Sequence, residues 1–242
     1  MKSIFFTIAL SLVFAVNLAN ADDADKPVLQ AVAAVKAFIP VGFDDNDQSQ
    51  LVIAGRFPNT CYQVGPYDVK VDEVERTVTV TQFAYIYSGV CLRMLVPYTQ
   101  TIDVGMLNKG QYEILDGESA APLGKLEINK ATQVGPGTDD YLYAPIEDAF
   151  IEVDKNTGKK VAVLHGAFSN SCMSFDKTEV HAYPEVVIVQ PVVKFEEQPH
   201  CQVGHFAFKK TVELDKVADG AFLLHVRSMN GKAINKVYAE IN

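Results

Sequence analysis

Five histidines could supply metal-binding or acid–base chemistry, and all of them lie in the second half of the chain. They are His165, His181, His200, His205 and His225. Imidazole is the commonest side-chain ligand for zinc and copper in proteins. However, no two of these histidines stand at the His-x-His or His-x-x-x-His spacing that places two ligands on one face of a strand or helix. The sequence therefore predicts no metal centre, and His165, His200, His205 and His225 are weak candidates for one.

Serine hydrolysis is the other chemistry that these histidines could support. Ser169, Ser171 and Ser174 follow His165 closely in the chain. A serine nucleophile needs a positioned base and an oxyanion hole, and the sequence has no Gly-x-Ser-x-Gly elbow. We therefore expect no catalytic residue, no cofactor and no enzyme activity. The alternative is a metal-binding or hydrolytic protein whose site lies among the histidines of the second half.

Four cysteines, Cys61, Cys91, Cys172 and Cys201, could support redox chemistry or form disulfides. The chain has no Cys-x-x-Cys motif, which excludes a thioredoxin-type redox pair. Four cysteines permit three pairings. Only Cys61–Cys91 with Cys172–Cys201 respects the internal repeat described next, and it closes two loops of nearly equal length. We predict these two structural disulfides, which persist in an oxidising compartment.

A heptad is written twice, as GRFPNTC at 55–61 and as GAFSNSC at 166–172. Its glycine and asparagine suit a tight turn with positive φ, so we interpret the heptad as a strand end, a turn and a disulfide. AFIPV at 37–41 likewise returns as AFIEV at 149–153, and a third block runs from the second cysteine of each pair to a glycine. Three collinear blocks indicate an internal duplication.

The repeat divides the chain into a first unit at 22–132, a linker at 133–140 and a second unit at 141–242. The linker, QVGPGTDD, contains a Gly-Pro-Gly that interrupts regular structure. Within the units an alternation of period two and frequent turn signals predict an all-β fold. The phrase at 107–112 resembles the turn before a late strand of immunoglobulin-like sandwiches, where a tyrosine closes the corner. We therefore expect two tandem immunoglobulin-like antiparallel β-sandwich domains with one disulfide each.

The strands of the first unit are predicted at 37–42, 50–57, 67–72, 77–86, 92–104, 111–116 and 123–129. One short helix is predicted before them, at 29–36. Phe83, Tyr85 and Tyr87 alternate along the fourth of these strands and share one of its faces. We predict that this face packs into the core, and an exposed binding stripe is the alternative.

The first 21 residues have the pattern of a cleaved signal peptide. Lys2 precedes an apolar run at 4–16, and Ala19-Asn20-Ala21 is a small-x-small cleavage site. The mature chain is expected to begin at Asp22 and to lie in a periplasm or outside the cell, with no membrane insertion after cleavage.

The chain is acidic, with a formal net charge of −9 at pH 7. Such a charge repels nucleic acid and anionic membrane surfaces. We therefore expect an exported, non-enzymatic binding or structural module that presents loops and edge strands to a protein or glycan of the cell envelope. An inhibitor of hydrolases is a further alternative.

Overall fold

The computed structural model describes residues 26–132, 141–214, 217 and 220–238. The predicted signal peptide at 1–21 and the predicted linker at 133–140 lie outside these residues. The described part is all-β, as the alternation predicts, and contains one 3-10 turn at Met229–Gly231 but no α-helix. The predicted helix at 29–36 is wrong. Residues 28–32 form a strand, because an edge position beside a long neighbouring strand was open to them.

The strands of the first unit form two sheets. The larger sheet has the order β5, β6, β8, β9, β3, and β1 extends it beside the far half of β6, while the smaller sheet has the order β2, β4, β7. The strands are β1 (Val28–Val32), β2 (Lys36–Phe38), β3 (Phe43–Asp44), β4 (Ser49–Phe57), β5 (Tyr62–Asp72), β6 (Thr77–Ile86), β7 (Val96–Gly105), β8 (Gly110–Asp116) and β9 (Pro122–Asn129).

The second unit pairs its strands in the same sequence. One sheet has the order β12, β13, β15, β16 and the other the order β10, β11, β14. The strands are β10 (Ile146–Val153), β11 (Lys160–Asn170), β12 (Met173–Ala182), β13 (Val186–Phe195), β14 (Val203–Glu213), β15 (Phe222–Ser228) and β16 (Lys232–Tyr238).

The pairing is not antiparallel throughout, which corrects the predicted immunoglobulin-like sandwich. β6 runs parallel to β8, and β13 runs parallel to β15. The reason is the order of strands: β6 and β13 lie inside their sheets, while the preceding strands β5 and β12 take the outer edge. A sandwich of the immunoglobulin type pairs neighbouring strands antiparallel in these sheets.

Each unit has its own core of alternating inward side chains. In the first unit Leu51 and Ile53 of β4 pack against Val78 and Val80 of β6 within one cluster of fully buried residues. In the second unit the corresponding cluster contains Leu164. The remaining buried members of that cluster come from β10, β11, β13 and β15 and from the segments beside β10 and β14: Ala144, Ile146, Ala149, Ala162, Phe168, Val187, Val189, Val193, Leu214, Phe222, Leu224 and Val226.

The tyrosine at the predicted corner is fully buried in the first unit. The hydroxyl of Tyr112 lies 3.0 Å from the carbonyl oxygen of Asn108 and also contacts Glu73 and Arg76. The hydrogen bond from Tyr112 lowers the pKa of the Glu73 carboxyl, and burial raises the pKa of Tyr112 itself. The corner tyrosine thus joins the β5–β6 turn to the start of β8. In the second unit, Phe222 stacks on Tyr238 instead.

The two units join face to face through their neighbouring sheets. Phe38 and Val52, which point away from the first core, pack with Val186, Ile188 and Leu223, which point away from the second core. Consequently the inner strands β13 and β15 at the joint are buried on both sides over most of their length. This is why all seven side chains of β15 are buried, although a sandwich strand with one solvated face would alternate.

A buried ion pair crosses this joint. Nη1 of Arg227 lies 2.8 Å from Oδ2 of Asp47, and both side chains are almost fully buried. The other terminal nitrogen of Arg227 donates to the carbonyl oxygen of Gly42 at 2.5 Å. A buried charge is tolerated when it is paired and hydrogen-bonded in this way.

A chain of hydrogen bonds also crosses the joint and determines which ring nitrogen of His225 carries the proton. Nε2 of Gln50 donates to Asp103 at 2.6 Å, and Nδ2 of Asn235 donates to Oε1 of Gln50 at 2.9 Å. Oδ1 of Asn235 must therefore accept from Nδ1 of His225, 2.7 Å away. Burial lowers the pKa of His225 to about 4, so this imidazole is neutral near pH 7.

Among the described residues no helix has the length and apolar character needed to cross a membrane.

Candidate binding surface

The glycine of the repeated heptad lies in a strand and makes room for an aromatic ring. A Cβ atom added to Gly55 would lie 2.4 Å from the ring of Tyr98, and one added to Gly166 would lie 2.7 Å from the ring of Phe208. Neither glycine has a positive φ. The expectation that this glycine serves a turn is therefore wrong: it allows the β7 or β14 aromatic ring to lie against the neighbouring strand.

The phenylalanine of the heptad packs on the same aromatic ring. Phe57 stacks on Tyr98 with ring centroids 4.4 Å apart, and Phe168 packs on Phe208 at 4.6 Å. Burial raises the pKa of Tyr98 to about 12, so its hydroxyl stays protonated. That hydroxyl donates to the carbonyl oxygen of Ala33 at 3.2 Å. The ring pair thus also anchors the segment that leads out of β1.

The asparagine of the heptad forms the turn that the sequence predicts. Oδ1 of Asn59 accepts from the backbone N–H of Cys61 at 2.9 Å, and Oδ1 of Asn170 accepts from that of Cys172 at 2.8 Å. This is the local side-chain-to-backbone bond through which asparagine favours turns.

The hydroxyl residue of the heptad binds the loop that the disulfide closes. Oγ1 of Thr60 accepts from the backbone N–H of Leu92 at 3.0 Å, and Oγ of Ser171 accepts from that of Gln202 at 2.9 Å. The backbone N–H of each hydroxyl residue donates back to the carbonyl oxygen of the same partner. Disulfides then close Cys61–Cys91 and Cys172–Cys201, which are the two pairs that the repeat predicts.

We call the heptad together with the loop tied to it the stapled end. In the first unit it comprises residues 55–61 and 87–96, and in the second unit residues 166–172 and 196–203. In both units the carbonyl oxygen of the heptad cysteine also accepts a backbone hydrogen bond from the first residue of the loop. The two loop backbones are therefore held by the same set of contacts.

The stapled end of the first unit exposes large apolar side chains. The exposed fractions are 101% for Val90, 65% for Leu92, 54% for Met94 and 61% for Leu95. Val28 and Leu29 of β1 are also exposed, and β1 pairs with the end of β6 that leads into this loop. Contiguous exposed apolar side chains mark interaction surfaces in proteins.

The stapled end of the second unit is polar and partly acidic. Glu196 and Glu197 begin its loop, His200 precedes the cysteine, and Gln202 takes the place of Leu92. Lys194 of β13 forms an ion pair with Glu196. The same backbone arrangement therefore displays a different surface in each unit.

The sequence-based interpretation missed the apolar loop because it assigned 92–104 to one strand. In the structure β7 begins at residue 96, and residues 92–95 lie in the loop before it. The run of apolar residues directly after a cysteine was the available signal. The aromatic stripe was also misjudged: Tyr85 and Tyr87 are exposed and Phe83 is half-buried, while Gln82 and Ala84 occupy the buried face of β6.

The structure does not bring the candidate histidines together. His225 is buried at the joint, whereas His165 is half-buried on β11 beside Phe150. His200 and His205 are exposed around the second disulfide. Within 26–132, 141–214, 217 and 220–238, no three His, Cys, Asp or Glu side chains are grouped as a metal site requires.

Each of the three serines near His165 has different surroundings. Oγ of Ser171 accepts from the loop backbone as described, and Oγ of Ser169 contacts the sulfur of Met173 at 3.8 Å. Ser174 is exposed on β12. His181, the fifth histidine, lies 3.8 Å from Glu179 on the same strand. These contacts stabilise the β11–β12 region locally.

One comparison with known proteins identifies a similar domain. A family model described as the ORF11 beta-sandwich domain matches residues 51–117. The match runs from β4 to just beyond β8 and so includes the stapled end of the first unit, but it covers less than half of the chain. No curated protein and no solved structure matches the chain. The first unit therefore contains a segment similar to a β-sandwich family, within an all-β chain held by two disulfides.

Proposed function

We propose that this chain is an exported, non-enzymatic binding module of the cell envelope that contacts its partner through the stapled end of the first unit. The observation that carries the proposal is the exposed cluster of Val90, Leu92, Met94 and Leu95 on a backbone fixed by a disulfide and hydrogen bonds. A rigid loop loses little conformational entropy on binding, so more of its contact energy becomes affinity.

The aliphatic character of this cluster favours a partner with an apolar surface. Sugar hydroxyls need polar side chains as hydrogen-bond partners, and the four side chains named above offer none. Of the protein and glycan partners expected from the sequence, a glycan is therefore the poorer fit to this surface. Two disulfides in the described chain support placement in an oxidising compartment, periplasmic or extracellular.

The shared contacts of the two stapled ends support descent of both units from one duplicated module. Corresponding glycine, phenylalanine, asparagine and hydroxyl residues make corresponding contacts in both. A binding module gains from such a duplication because one loop can diverge while the other continues to support the fold. The non-enzymatic part of the proposal is supported by Nδ1 of His225 and Oγ of Ser171, which form structural hydrogen bonds with Asn235 and with the backbone of Gln202.

Site-specific photocross-linking in living cells tests this proposal. A photoreactive amino acid replaces Leu92 in one strain and Gln202, its counterpart in the second unit, in the control strain. We expect cross-linked partner at position 92 and none at position 202. Equal labelling at both positions, or no adduct at position 92, would contradict the proposed surface.

A further inference from the structure

The first stapled end lies in a part of the chain that contains no acidic residue. Asp and Glu are absent from 26–43, 48–67 and 77–102, although the whole chain has 30 of them. These three stretches supply β1, β2, β4, the start of β5, β6, the apolar loop and the start of β7. The net negative charge of the protein is therefore carried elsewhere, and this end departs from the average surface.

Basic side chains lie among the apolar ones at this end. Arg93 stands inside the apolar loop, and Arg56 pairs in register with Pro97 just after the loop. Both are exposed, and neither guanidinium forms an ion pair with the residues that the structure describes. Exposed Tyr85 and Tyr87 lead into the same loop. Aliphatic side chains accompanied by tyrosines and basic residues, without carboxylates, are the composition of surfaces that enter the membrane interface.

We propose that the stapled end of the first unit binds an anionic lipid surface, with Leu92 and Met94 entering the apolar region and Arg56 and Arg93 contacting the lipid phosphates. The proposal rests on the proposed function, since it identifies the envelope component that the same surface contacts. The apolar side chains of the loop extend into solvent, where they can enter a lipid surface.

The overall charge of the protein does not oppose this contact at short range. At physiological ionic strength, charges separated by more than about 8 Å of solvent are largely screened. The groups nearest to a docked lipid surface would be those of the acid-free end, and cations near an anionic leaflet are attracted to it. The net charge of −9 is therefore a poor guide to this surface.

Vesicle co-sedimentation tests the inference directly. The purified chain beginning at Asp22 is mixed with vesicles of equal parts phosphatidylglycerol and phosphatidylcholine, and separately with phosphatidylcholine vesicles. We expect binding to the anionic vesicles that weakens as salt is added. The double variant Leu92→Ser, Met94→Ser should bind at least about tenfold more weakly, because each buried apolar side chain contributes strongly to such binding.

Two matched variants separate the contributions of charge and fold. Arg56→Gln with Arg93→Gln should weaken binding to anionic vesicles, whereas Lys209→Gln with Lys210→Gln, which removes the same charge from β14, should not. All four substitutions lie at exposed or half-exposed positions, and an unchanged thermal midpoint shows that each variant folds.

The outcomes distinguish this inference from the proposed function. Absence of binding to anionic vesicles, or binding that Leu92→Ser and Met94→Ser leave unchanged, overturns the lipid inference. If a protein is nevertheless cross-linked at position 92 in cells, the proposed surface stands with a protein partner. If neither lipid nor protein is contacted at position 92, both proposals fail.

Discussion

The two stapled ends share one backbone arrangement and differ in what that arrangement displays. Each has a glycine beneath an aromatic ring, an asparagine turn, a hydroxyl that holds the loop, and a disulfide. In the first unit the loop presents Leu92 and Arg93 and no carboxylate, whereas in the second it presents Glu196 and Glu197. The comparison teaches that the repeated residues maintain the same scaffold in both units, while the residues outside the repeat give each end a different surface.

Removal of the disulfides should have the largest effect on stability and should affect the two units alike. Cys61→Ser with Cys91→Ser opens a loop of 30 residues, and Cys172→Ser with Cys201→Ser opens one of 29. In the chain-entropy model each pair should lower the free energy of unfolding by about 3.5 kcal/mol. Urea unfolding measures this loss. Only the substitutions at Cys61 and Cys91 should also abolish cross-linking at position 92. If the substitutions at Cys172 and Cys201 abolished this cross-linking equally, the proposed functional difference between the two ends would be wrong.

Acid should reveal an asymmetry between the units. The pKa of His225 is about 4 in the folded protein and about 6.5 in an unfolded chain, so the unfolded state binds the proton first. The stability that the neutral, buried His225 contributes is fully present above pH 6.5. It is lost as the pH falls toward 4, and the total loss is about 3 kcal/mol. His225→Leu introduces the residue type of Leu115, the first-unit counterpart, and should remove this part of the slope in urea unfolding between pH 4 and 7. A slope that His225→Leu leaves unaltered would show that other groups produce it.

Alanine at the repeated glycine should destabilise both ends, and the second more strongly. The added Cβ of Gly55→Ala meets the Tyr98 ring, while that of Gly166→Ala lies 2.1 Å from the carbonyl oxygen of Pro145, which is backbone and cannot rotate away. We expect losses of about 2 kcal/mol for Gly55→Ala and more for Gly166→Ala in thermal unfolding. Tyr98→Ala combined with Gly55→Ala should be less harmful than the sum of the two single changes. Strict additivity would refute the contact.

Loss of the asparagine turn should give the smallest change and an equal one in each unit. Asn59→Ala and Asn170→Ala each remove one hydrogen bond to a cysteine N–H, at 2.9 and 2.8 Å. A loss of about 1 kcal/mol is expected for each in urea unfolding. Aspartate keeps the acceptor oxygen, so Asn59→Asp and Asn170→Asp should retain most of the stability. Substantially different losses at the two positions would mean that the turns are not equivalent.

Local sequence patterns predicted those features that depend on near neighbours. Alternation located most strands of the first unit, and the repeat selected the disulfide pairs, because both signals are carried by a few adjacent residues. Local patterns gave the wrong structure for the segment at 29–36. A short run of Ala and Val suits either a helix or a strand, and pairing with β6 makes residues 28–32 a strand. The boundaries of the two units stay a prediction.

The joint and the apolar loop could not be predicted because they depend on what lies across from a residue. His225 alternates with Leu224 and Val226 as an outward residue of β15 should, yet it is buried because the first unit covers that face. Leu92 and Met94 look like core residues by type and are exposed because the disulfide holds them in a loop. Burial on an outer face and exposure of apolar residues are both tertiary effects.

The apolar residues buried between the two units at the joint have a consequence for any fragment of this protein. If either unit were made alone, it would present to water an apolar wall: Phe38 and Val52 in one case, Ile188 and Leu223 in the other. The separated first unit would also carry Asp47 without its counter-ion. Walls of this kind promote aggregation and draw proteases and chaperones to a nascent chain. Each half therefore depends on the other to cover these apolar side chains.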